Sequence, residues 1–161
     1  MNIDLSKANL TFQELWEIKT RVIAMRDVII QKRNLRLSEL KDLELEKIVE
    51  KFSFKSMQAE YQEFCPMLIN DKKCHDLKAE DLSCYGCICP NYDFEIGFDE
   101  KQNLYKIGFC RVNSKEGFYK LTQTREGTPK EYLIWNCVNC NIPHNKAFVE
   151  KEVKKSLRNI I

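Results

Sequence analysis

The sequence predicts an α+β fold: an N-terminal helical hairpin, a small cysteine-rich antiparallel β domain and a C-terminal helix. Two observations predict it. All five glycines, all four prolines and all eight cysteines lie at or beyond Cys65, so residues 1–64 are free of the strongest helix breakers. Beyond Pro90 the apolar period changes from helical spacing to alternation, and polar turn-like stretches break the chain into short runs. The length of 161 residues, with 43% apolar and 31% charged side chains, suits a globular chain with a core of its own. The expected organisation is a helical region over residues 1–64 and a cysteine-rich domain over residues 65–161.

The first helix is predicted from Thr11-Phe-Gln-Glu14, a capping box in which the threonine and glutamate satisfy each other's backbone N–H groups. Leu10 and Leu15 occupy the staple positions around it. Leu15, Ile18, Val22, Met25 and Ile29 then mark one helix face. Lys32, Arg33 and Arg36 are placed near its C-terminal end, where the macrodipole favours cations. Ser38 is read as the cap of a second helix carrying Leu45, Ile48, Val49 and Phe52, which completes the hairpin. Residues 54–64 also read as helical.

Strands follow where Phe94, Ile96 and Phe98 alternate with Glu95 and Gly97, then at residues 104–112, 118–122 and 132–135. Turns are expected at 99–103, 113–117 and 125–129, giving a meander. From Asn145 the pattern reverts to helix, with Phe148 or Val149, Val153, Leu157 and Ile161 on one face. Lysines and Arg158 form a solvated opposite face. No apolar run approaches the roughly 18 residues of a membrane span. Residues 1–7 lack a positive region followed by an apolar stretch, so no signal peptide is expected. A net charge of +2 does not by itself imply a polyanionic partner. These features point to a cytoplasmic protein with no membrane attachment.

The eight cysteines carry most of the chemical information. In a reducing compartment clustered cysteines ligate metal or do redox chemistry rather than form disulfides. Cys84-Tyr-Gly-Cys87 and Cys137-Val-Asn-Cys140 are CxxC pairs, in which one tight turn points two sulfurs at a common cation. Residues 88–136 separate them, more than the roughly 15–20 of a compact ribbon, so the strands must bring them together. Further candidates are Cys74, His75, Cys89 and His144; the only two histidines both lie beside cysteines. Cys65 and Cys110 are weaker, and Cys110 reads equally as a small strand hydrophobe. One zinc on Cys84, Cys87, Cys137 and Cys140 is one arrangement. Two metals sharing these with Cys74, His75, Cys89, His144 and Cys65 is the other. Either would make the β domain metal-stapled. Zinc is the expected cofactor and an iron–sulfur cluster the alternative, because Cys84-x-x-Cys87-x-Cys89-Pro90 departs from ferredoxin spacing.

The strings Lys73-Cys74-His75, Ser83-Cys84-Tyr-Gly-Cys87-Ile-Cys89-Pro90 and Asn136-Cys137-Val-Asn-Cys140-Asn-Ile-Pro143-His144 resemble the cysteine-rich small domain family. The resemblance spans about residues 65–150. Its members are short prokaryotic proteins or appendages regarded as metal-binding, some associated with cobalamin-biosynthesis proteins. It implies that Cys74, His75, Cys84, Cys87, Cys89, Cys137, Cys140 and His144 act together. This chain has a longer segment between the two halves than the family pattern, and Cys110 precedes Arg111-Val112 rather than glycines.

Three classes of function fit. A structural-metal module would act by binding another protein. A redox or metal-responsive protein would use its thiols directly. A zinc enzyme is third, since the chain has no HExxH, no His-x-Glu paired with a CxxC, no phosphate loop and no serine elbow. Nucleic-acid binding through strand aromatics such as Tyr92, Phe94 and Tyr119 is a variant of the first class, although these rings are expected to build the small core. The helix stripe also leaves helix-mediated self-association open.

Overall fold

The structure is a computed structural model that describes residues 10–124 and 129–159. The readings at residues 1–7, at 125–128 and at Ile161 lie outside the described residues. The chain is mixed α+β, with a long N-terminal helix, a four-stranded mostly antiparallel sheet and a C-terminal helix. Two compact units are present. Unit 1 holds the described residues up to Met25 together with Pro90–Cys137; unit 2 holds Arg26–Cys89 and the described residues from Val138.

In unit 1 the capping box forms as expected. Thr11 N–H donates to Glu14 Oε2 at 2.8 Å, and Glu14 N–H donates back to Thr11 Oγ1 at 3.2 Å. Helix α1 (Phe12–Leu40) starts there. Leu10 and Leu15 are buried in one cluster with Ile18, Ile107 and Tyr132. The strands are β1 (Tyr92–Asp99), β2 (Leu104–Cys110), β3 (Phe118–Gln123) and β4 (Glu131–Asn136). All four expected strands are present, but they do not form a meander. The order is β1-β2-β4-β3, and β2 pairs with β4 in parallel through Lys106↔Leu133 and Ile107↔Ile134. Burial explains the exchange. The run Tyr132-Leu133-Ile134 is apolar on both faces and belongs inside the sheet, whereas Phe118 and Leu121 of β3 are exposed, as an edge strand allows.

The other face of the sheet carries aromatic side chains. Tyr92 donates its hydroxyl to Trp135 O at 3.1 Å, and Tyr119 donates to Gly108 O at 2.9 Å. Gly108 has φ of +77°, and a Cβ there would meet the Tyr92 hydroxyl at 2.4 Å. The position thus combines a backbone that favours glycine with a ring lying against it. Tyr92 and Tyr119 are engaged in packing within the sheet, as expected of a small core.

In unit 2 the expected hairpin is replaced by the remainder of α1 and a shorter second helix, α2 (Leu45–Lys51). Ser38 lies inside α1 rather than capping α2; the N-cap of α2 is Glu44. A single serine in a run free of Gly and Pro is a weak stop. The expected stripe also breaks, because Met25 is exposed while Leu37 and Leu40 are buried. Nor do the basic residues end the helix. Arg36 instead pairs with Glu60 at 2.7 Å, and the Arg33 guanidinium lies 4.9 Å from the centre of the Tyr85 ring. Residues 54–64 are helical as expected: α3 (Phe54–Glu60), capped by the Ser53 side chain, is followed by a 3₁₀ turn, Gln62–Phe64. Helix α4 (Pro66–Ile69) starts after Cys65, and α5 (Lys146–Leu157) is capped by Asn145. Val149 and Val153 of α5 are fully buried in one core with Phe52, Met57, Phe64 and Leu82. Of the two options for the first residue of that face, Val149 is the one buried.

Candidate functional site

Cys84–Cys87 is a 3₁₀ turn in unit 2. Its start is pinned to the α2–α3 junction: Phe54 N–H donates to Leu82 O and Cys84 N–H to Phe52 O, both at 2.8 Å. A second 3₁₀ turn, Ile142–His144, lies directly against it. A Cβ on Gly86 would stand 1.9 Å from the Pro143 carbonyl oxygen, so the two turns approach this closely only because residue 86 is glycine. His144 is buried and its Nδ1 lies 2.7 Å from Ser83 O. A carbonyl accepts, so Nδ1 carries the proton and Nε2 the lone pair. Nε2 is buried and has no hydrogen-bond partner among the described residues. Burial pushes the imidazole below its ordinary pKa, against the opposing effect of the Ser83 hydrogen bond.

Imidazole and thiols are neighbours here. The His144 and His75 rings stand edge to face with centroids 4.1 Å apart. His75 Nδ1 is 3.2 Å from Cys74 Sγ, and Cys74 Sγ is 3.6 Å from Cys87 Sγ. The hydrogen bond with Cys87, followed by burial, raises the Cys74 thiol well above its ordinary value, with His75 opposing. At Cys87 the largest single influence, the hydrogen bond from Cys74, lowers the pKa. The hydrogen bond with Cys84, burial and the nearby Cys84 and Cys65 outweigh it, so the net direction is up. Both are therefore held as thiols at neutral pH.

The expected site residues are thus distributed unevenly. Cys74, His75, Cys84, Cys87 and His144 form a connected group in unit 2. Cys140, also buried, and Cys89, half-buried, belong to the same unit. Cys137 is the last residue of unit 1. Cys110 ends β2, its sulfur accepting Ser114 N–H at 3.5 Å. None of the eight cysteines is in a disulfide. The contacts are pairwise: among the described residues no three His, Cys, Asp or Glu side chains already stand around one point as metal ligands. Cys65, the weaker candidate, is half-buried and packs against the same core of unit 2. Among the described residues, no helix is long and apolar enough to cross a membrane.

No family model matches the chain, and no match was found among curated proteins or solved structures. The likeness to cysteine-rich small domains therefore rests on the residues that carry it.

Proposed function

We propose that this is a cysteine-rich metal-binding protein in which zinc plays a structural role in unit 2, leaving the folded surface to bind a partner protein in the cytoplasm. Membership of the cysteine-rich small domain family is part of the same proposal. The observation that carries it is the unbridged pair Cys74 and Cys87, with sulfurs 3.6 Å apart and His75 Nδ1 3.2 Å from one of them. A disulfide would need about 2.05 Å. Two thiolates each about 2.3 Å from a tetrahedral zinc stand about 3.8 Å apart, close to the spacing seen. The buried, unpartnered Nε2 of His144 adds a further donor atom nearby.

The test is elemental analysis of protein purified without oxygen or added metal, with an absorption spectrum of the same sample. The expected result is stoichiometric zinc and no visible band. A visible band that bleaches with dithionite would establish the iron–sulfur alternative instead. Protein without stoichiometric metal, and with all eight thiols titratable, would refute metal binding.

A further inference from the structure

We propose that a cavity in unit 2 binds an organic cation, an ammonium head on a short apolar stem, as carried by a lysine side chain or a free alkylamine. The proposal stands apart from the metal reading above. The cavity has a volume of about 390 Å³ and lies between α2, the segment before Cys84 and the start of α5. That is at the small end of the roughly 300–1,000 Å³ of ligand pockets, and suits one side chain rather than a folded segment. Leu82 and Val149, both buried, and the half-buried Val49 give it an apolar floor on which a methylene stem can lie.

The polar groups around it select the sign of the head. Glu46, Glu50, Glu80 and Asp81 line the cavity together with Lys47 and Lys146. Lys146 pairs with Glu46 at 3.1 Å and Lys47 with Glu50 at 2.9 Å. Among the described residues the carboxylates of Glu80 and Asp81 have no hydrogen bond or ion pair, so two negative charges are left over. His144 belongs to the same lining and is only 4% exposed. Its Nδ1 is committed to Ser83 O, which leaves Nε2 as a buried lone pair without a partner. A buried polar atom of this kind calls for a donor. The groups left free, two carboxylates and one imidazole lone pair, all accept. An ammonium donates three N–H groups and accepts none, so it complements them; an anion would find only lysines already paired. The carboxylates draw the cation in, and the imidazole receives one of its protons in a hydrogen bond.

The test is an NMR titration of the full-length, nitrogen-15-labelled protein with Nα-acetyl-lysine methylamide and with n-pentylamine. Nα-acetyl-norleucine methylamide, which has the stem but no ammonium, is the control. Both cations are expected to shift the amides of Leu82, Ser83 and Val149 and the Nε2 nitrogen of His144 saturably, and the norleucine probe is not. The paired substitution Glu80→Gln and Asp81→Asn, at two exposed positions, is expected to weaken cation binding about threefold to tenfold, the effect of two solvent-screened charges. Tighter binding of the lysine probe assigns the site to a partner protein's side chain, and tighter binding of pentylamine to a free amine. Norleucine binding equal to lysine binding overturns the proposal. So do undiminished affinity in the double variant, an unmoved Nε2 signal, or no saturable shift with either cation. None of these readings depends on bound metal, so their failure leaves the zinc proposal standing.

Discussion

Glu14 accepts hydrogen bonds from the Thr11 backbone, the Thr11 hydroxyl and Lys130 Nζ, the last at 2.6 Å. The Lys130 hydrogen bond, then those from Thr11, lower its pKa from 4.5 to about 2. The depressed value means that this stabilising contribution is present above the unfolded pKa. It is lost as pH falls through the window from 4.5 to about 2. Carboxyl-resolved NMR titration should place Glu14 near the bottom of that window, and Lys130→Met should move it up toward 4.5. An unchanged titration in the variant would contradict the assigned cause. The Thr11–Glu14 half of this arrangement was legible in the sequence, because capping is a local rule with fixed spacing. Lys130 was not, since its partner is remote along the chain. The same contrast holds at the thiols: Cys84 and Cys87 announce themselves by spacing, whereas contact between Cys74 and Cys87 comes only from the fold.

Among the elements, strands were read more accurately than their order. Alternation and turn residues located β1 to β4 within a few residues, because both are local signals. The interior place of β4 depends on which run can be buried on both faces, a comparison between distant segments. Helix lengths failed for the opposite reason: nothing local stops α1 before Leu40, so the cap expected at Ser38 does not form. The contact between the 84–87 and 142–144 turns was also hidden, although Gly86 bears its mark. Gly86→Ala places a Cβ 1.9 Å from a backbone carbonyl. It should destabilise the protein by about 1–3 kcal/mol, since backbone must shift. Gly97→Ala meets only the side-chain carbons of Lys106, the nearest at 3.2 Å, and should cost less because a flexible chain moves aside. Urea unfolding of the two variants checks this; equal losses would contradict the account.

At the scale of the whole chain, each compact unit draws on two stretches of sequence. Composition changes near Cys65, but the chain passes between units after Met25, Cys89 and Cys137. Such interleaving follows from tertiary packing and leaves no local trace. Unit 1 has a sheet with one face against the start of α1 and the other carrying its own aromatic cluster. Unit 2 has a helical core that includes Cys84, with Cys65, Cys74 and Cys87 packed against it. If a cation joins those sulfurs, its ligation energy, about 10–16 kcal/mol in zinc-finger peptides, rivals the stability of a domain. X-ray absorption at the zinc edge of the anaerobically purified protein addresses this most directly. The account predicts a first shell that contains sulfur, from Cys74 and Cys87, at about 2.3 Å. A first shell of nitrogen or oxygen at about 2.0 Å with no sulfur in it, or no bound zinc at all, would contradict it.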